Sequence, residues 1–139
     1  MNSTLSTTCL VSSCLMGFCT RYDGATKPNE DCIRALAKSC WIPICPEQLG
    51  GLATPREAAV LNGGNGHDVL AGRAQVITGS GRDVTENFIR GAEMVLQLAR
   101  LQNISTVILK ARSPSCAVHG KIGVTAALLK THGYTLIEY

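Results

Sequence analysis

Residues 83–110, DVTENFIRGAEMVLQLARLQNISTVILK, decide the fold. Val84, Phe88, Ala92, Val95, Leu96 and Ala99 recur at three- and four-residue intervals, one apolar face of a helix that begins near Asp83. Asn103 ends the helix, and Ser105–Lys110 (STVILK) follows as a buried strand. Helix and then strand, joined by a short connection, is the repeating unit of a parallel α/β sheet.

The alternation extends in both directions. Toward the C-terminus, a loop over Ala111–Lys121 leads to a helix over Val124–Thr131, which Gly133 terminates, and to a last strand at Tyr134–Ile137. Toward the N-terminus, Thr7–Ser13 (TTCLVSS) reads as a first strand and Cys14–Glu30 as a loop containing Gly17, Gly24 and Pro28. Asp31 caps a helix through Ile33, Leu36 and Ala37 to about Ser39. Trp41–Cys45 (WIPIC) is a buried strand, with Pro43 awkward inside it because proline donates nothing to a central ladder. Pro46–Arg56 (PEQLGGLATPR) reads as a loop and Asn62–His67 (NGGNGH) as a turn; Gln75–Thr78 is a short strand with its turn at Gly79–Gly81. The pattern predicts a three-layer α/β sandwich with a mainly parallel, Rossmann-like sheet, and one domain over residues 1–139.

Composition narrows the class. Hydrophobic residues make up 45% and charged residues 17%, which excludes a disordered chain. The formal charge is +3, with its thirteen Lys and Arg dispersed, so no dedicated nucleic-acid surface is expected and a small anionic ligand suits the balance better. No apolar run approaches a membrane span, and Met1–Thr8 lacks a signal-like core, so a cytoplasmic location is expected. Cytosolic thiols stay reduced, and seven cysteines cannot all pair internally, so some are expected to be metal ligands or reactive groups.

Cys14, Cys45 and Cys116 each stand just past the C-terminal end of a predicted strand. In open α/β sheets ligands bind outside the carboxyl ends of the strands, so the positions after Ser13, Ile44 and Lys110 share one edge. Three thiols there can hold a soft metal or an iron–sulfur cluster and leave one coordination position free; zinc and iron–sulfur both remain open. Glu47 turns back toward this edge as a candidate general base, and Gly50 and Gly51 permit close approach of a ligand to the backbone. Ala111–Cys116 (ARSPSC) adds a cation, two hydroxyls and a thiol. Cys9, Cys32 and Cys40 read as structural. Cys19 competes with Cys14, since Cys14-x4-Cys19 is part of a plant-type ferredoxin spacing, but the further cysteine that this spacing requires is absent. No C-x2-C occurs, which disfavours a zinc ribbon. His119 is the only histidine near the edge. Asn62-Gly63-Gly64 and Gly79-Ser80-Gly81 match neither phosphate-loop pattern and read as turns.

Cys45-Pro46-Glu47-Gln48-Leu49-Gly50-Gly51-Leu52 with Thr54-Pro55-Arg56, and Arg112-Ser113-Pro114-Ser115-Cys116, resemble the signatures of the thiouracil desulfidase family. Val11–Gly17, Arg21–Gly24, Asp83–Thr85 and Gly123–Leu129 extend the resemblance over nearly the whole chain. The resemblance implies a [4Fe-4S] cluster with three Cys ligands, Cys14, Cys45 and Cys116, and one open iron. It further implies non-redox, hydrolytic removal of sulfur from thiolated uracil bases or nucleotides such as 4-thiouracil or 4-thio-UMP, releasing sulfide. The family's acid–base carboxylate maps to Glu47 and its serine to Ser113, with Ser115 second. Lys110, Arg112, Arg21 and Lys121 are candidates to offset cluster charge and hold a substrate phosphate. A longer Gly-rich loop commonly precedes the Gly-Val-Thr-Ala helix in the family; only Ala117–Ile122 stands there here, which implies a more open site. The competing class is a non-catalytic zinc- or iron–sulfur-binding, sulfur-handling module; a purely structural domain leaves the two long motifs unexplained.

Overall fold

The computed structural model describes residues 8–139; Thr7 of the first expected strand and the reading of the first seven residues lie outside them. Four strands, β1 (Thr8–Ser12), β2 (Cys40–Ile44), β5 (Thr106–Leu109) and β6 (Thr135–Glu138), form a parallel sheet in the order β2-β1-β5-β6. Two more, β3 (Ala59–Asn62) and β4 (Gln75–Thr78), pair antiparallel as a separate hairpin. The helices are α1 (Glu30–Ala35), α2 (Pro46–Leu49), α3 (Gly66–Leu70), α4 (Thr85–Leu101) and α5 (Val124–Thr131), with a 3-10 turn at Ser13–Met16.

Side-chain alternation on the central strands builds the layers. Leu10, Val107 and Leu109 point to one face, where they pack with Val95, Leu96 and Ala99 of α4 and Ala126, Ala127 and Leu129 of α5. Cys9, Val11 and Ile108 point to the other face, against Leu15, Cys32 and Leu36. A fully buried Leu or Val contributes about 1.5–3 kcal/mol, so these two clusters hold the sheet between its helices. The sheet and its helices are the expected three-layer α/β arrangement. A third cluster places Val76 of β4 and Leu61 of β3 against Val84, which caps α4, and Phe88 and Ala92 within it.

Several elements differ from their sequence reading for identifiable reasons. Pro43 raises no conflict because β2 is an edge strand; it pairs with Val11 in register and faces solvent, so WIPIC is an edge rather than a buried strand. Pro46–Leu49 is a helix rather than loop, started by proline at its first position, where no donor is missed. The cap of α1 is Asn29, whose side chain accepts from the Cys32 amide at 3.0 Å, two residues before the expected Asp31. Within NGGNGH, Asn65 ends the turn and caps α3 in a reciprocal box with Asp68. β3 and α3 were not expected because four and five residues are too few to display a period.

From β1 the chain moves to β2 on one side and then returns to β5 on the other. The strand order therefore reverses between β1 and β5, and the crevice outside their carboxyl ends lies at that switch. Ser12 Oγ accepts from the Lys110 amide at 3.0 Å and fastens the two strand ends together there. No helix among the described residues is long and apolar enough to cross a membrane.

Candidate functional site

A cavity of about 720 Å³ opens at this switch and is lined by Cys14, Cys45 and Cys116 together with Glu47 and Ser113. Cys14 sits in the 3-10 turn directly after β1, Cys45 caps α2 directly after β2, and Cys116 lies in the loop between β5 and α5. All seven cysteines are free. Cys19 is exposed and does not line the cavity; Cys9 and Cys32 are buried behind the sheet, and Cys40 opens β2. The geometry therefore separates Cys14 from its rival.

Each of the three thiols is raised above its ordinary value, chiefly by burial. Cys45 reaches about 11 and Cys116 about 12, with the Glu47 charge adding to the rise in both. Cys14 is raised in the same way, opposed by the nearby Lys110 cation. Cys14 also acts electrostatically on both other thiols, so the three share one field. Cys116 receives a further contact from the Ser115 hydroxyl at 3.4 Å.

Among the described residues no three His, Cys, Asp or Glu side chains stand close enough together to hold a single metal ion. Three soft donors spread around one cavity suit a group larger than one ion, and thiolate sulfur is the donor that iron–sulfur clusters use. The donor set fits the cluster.

Glu47 lies in the first turn of α2. Its carboxylate is 3.8 Å from Cys45 Sγ on one oxygen and 3.8 Å from the Arg56 guanidinium on the other. Ser113 Oγ accepts from the amides of Ser115 and Cys116 at 3.2 and 3.1 Å and lies 3.1 Å from Ser115 Oγ, so its hydroxyl hydrogen is directed at Ser115 and turns away from it to meet a ligand. Ser113 lines the cavity, whereas Ser115 is buried against Cys116. That placement favours Ser113 as the serine facing a ligand.

Six cations line the cavity, Arg21, Lys27, Arg56, Arg82, Lys110 and Arg112, against two carboxylates, Glu47 and Glu57. Lys121 is not among them, because its ammonium donates to the Leu61 carbonyl of β3 at 2.8 Å. His119 is exposed away from the cavity, its amide donating to Glu138. The close approach expected at Gly50 serves a helix instead of a ligand, since a Cβ there would overlap the Asn87 carbonyl of α4. Gly51, at φ 95°, does line the cavity. None of Ala117–Ile122 lines it, so this short loop adds nothing to its wall. Arg56 and Ser12 were given no role from sequence. Arg56 follows Glu47 by nine residues, and only the return of the chain brings it back to the carboxylate.

The model of the 2-thiouracil desulfurase family matches residues 9–139. The uncharacterized protein YbbK of Bacillus subtilis is 46% identical over 141 residues, covering 93% of each chain. A solved structure, the [4Fe-4S]-dependent thiouracil desulfidase TudS, superposes with a TM-score of 0.81 at 37% identity, covering 95% of this chain and 90% of that one.

Proposed function

The chain belongs to the 2-thiouracil desulfurase family and is an enzyme of the [4Fe-4S]-dependent thiouracil desulfidase kind, and on that premise we propose that Cys14, Cys45 and Cys116 hold its cluster while Glu47 and Ser113 act on the substrate. The observation that carries this assignment is the meeting of these five side chains, from three strand ends, in the wall of one cavity. When bound, the cluster supplies an iron without a thiolate ligand, a soft Lewis acid for the exocyclic sulfur that makes the adjoining ring carbon electrophilic.

The remaining chemistry belongs to the chain. Glu47 takes a proton from water as its oxygen bonds to that carbon, and returns a proton as the carbon–sulfur bond breaks. Thiocarbonyl and water become carbonyl and sulfide, with no net oxidation or reduction. Ser113 directs its hydroxyl hydrogen at the ring and holds it in the plane of attack. The surplus of cations in the lining supports a thiolated pyrimidine nucleotide over the uncharged base, because a phosphate near several cations gains most where the wall excludes water.

Anaerobically reconstituted protein tests this reading by sulfide release from 4-thiouracil and 4-thio-UMP. Turnover of either substrate, with higher kcat/KM for the nucleotide, and loss of turnover with the cluster absorbance retained in Glu47→Ala, are the expected results. Wild-type rates in Glu47→Ala would remove the carboxylate from the mechanism.

A further inference from the structure

Arg56 is committed to more partners than any other cation in the cavity wall. One guanidinium nitrogen donates to the Thr20 carbonyl at 3.2 Å and lies 3.8 Å from Glu47 Oε2. Its twin donates to Thr54 Oγ1 at 2.9 Å and to the Ala53 carbonyl at 3.4 Å. The Arg56 amide also donates to the Tyr22 carbonyl at 2.7 Å. Both members of the ion pair are nearly buried, with side chains 10% and 12% exposed.

These contacts join three segments: the loop after the first thiol, the short helix bearing Glu47, and residues 53–54. Thr20 is also the carbonyl that Cys45 Sγ approaches at 3.7 Å. The Glu47 carboxylate has no partner among the described residues besides the Cys45 thiol and the Arg56 guanidinium. A glutamate on the first turn of a four-residue helix has three free torsions, and a loosely placed base loses most of its rate advantage. A guanidinium pinned by three neutral acceptors gives the carboxylate a fixed partner, which a mobile ammonium cannot do.

We propose that Arg56 is the positioning residue for Glu47: it aims the carboxylate at the attacking water and takes no part in binding the substrate. The proposal rests on the reading of Glu47 above. Arg56 therefore acts on kcat and leaves substrate affinity alone. The arginine also leaves the three thiols in place, so the cluster is retained when it is replaced.

Four reconstituted proteins decide it: wild type, Glu47→Gln, Arg56→Lys and Arg56→Met. For each, iron content, visible absorbance, the equilibrium Kd for UMP as a non-reacting probe, and kcat with 4-thio-UMP are measured. The expected result is wild-type iron and absorbance in all four, with Kd within twofold. In Arg56→Met kcat falls by about tenfold or more, and Arg56→Lys lies between it and wild type. A Kd weakened by the same factor as kcat would make Arg56 a substrate ligand and overturn the proposal. Iron loss in both arginine variants would overturn it too, by making the arginine part of the scaffold. If Arg56→Met does not fold, Arg56→Lys decides by the same criteria. Wild-type kcat in Glu47→Gln sinks the reading of Glu47; an inactive Glu47→Gln beside a fully active Arg56→Met sinks only the present proposal.

Discussion

Cys116 is 3% exposed, and its raised pKa means that the chain without a cluster holds this sulfur as a neutral thiol at pH 7. Each thiolate bond to iron must therefore displace a proton, and cluster assembly is favoured as pH rises from 7 toward 9. Cys32 shows the same physics away from the site: burial lifts it to about 11, against 9.0 unperturbed. A group whose folded pKa is raised stabilises fully below its unfolded pKa and loses that contribution as pH rises through its folded one. Urea unfolding of the reduced, cluster-free protein should show stability falling between pH 9 and 11, and falling less in Cys32→Ala; equal slopes would contradict this. Thr125 is fully buried on α5, and its hydroxyl has no partner among the described residues. Thr125→Val should be neutral or stabilising by about 1 kcal/mol, since it removes an unsatisfied polar atom at constant volume; destabilisation in the same assay would indicate a partner for that oxygen.

At the scale of elements, the site depends on how closely α2 approaches α4. A Cβ on Gly91 of α4 would overlap the Pro46 carbonyl, and one on Gly50 would overlap the Asn87 carbonyl. Two backbones touch there, and α2 carries Glu47 beside Cys45. Gly91→Ala must push α2 outward, which should destabilise the fold by about 1–3 kcal/mol and lower the iron retained per chain. Wild-type stability and iron content would show that α2 is free to move. A second backbone stack holds the third thiol: a Cβ on Gly123 would overlap Ser115, and one on Gly66 would overlap Gly123. The amides of Val124 and Thr125 donate to the carbonyls of Pro114 and Ser115, so the first turn of α5 clamps the loop that ends in Cys116. These contacts were illegible in the sequence. A glycine kept for a backbone contact looks like one kept for a turn until the opposing backbone is known. The long periodic elements were legible: Val124–Thr131 stands where the pattern puts it, and Thr85–Leu101 begins two residues after Asp83, whose carboxylate accepts from the Thr85 amide; the four-residue Gln75–Thr78 was placed by the turn that bounds it.

For the whole molecule, strand order does the work that spacing in the sequence cannot. Cys45 and Cys116 are separated by a hairpin and three helices, yet β2 and β5 both flank β1. Parallel strands put their carboxyl ends on one side, which is why three thiols could be grouped from the chain alone. Of the wall's cations, Arg21, Lys110 and Arg112 were grouped in the same way, whereas Lys27, Arg82 and the Arg56 clamp could not be, because they depend on loops whose paths carry no periodic signal. We propose that the chain unfolds as one unit: Leu70 and Leu128 pack against both the sheet-side and the hairpin-side clusters, so neither core stands apart. One calorimetric transition is expected, and two separated transitions would divide the hairpin from the sheet.

The ligand set proposed for the cluster is three thiols from three strand ends. Iron content and visible absorbance after anaerobic reconstitution test it most directly, in wild type, in Cys14→Ala, Cys45→Ala and Cys116→Ala, and in Cys19→Ala as the exposed control. About four irons per chain and a broad brown absorbance are expected in wild type and Cys19→Ala, and loss of both in each of the other three. A full cluster in Cys14→Ala, or its loss in Cys19→Ala, would contradict it.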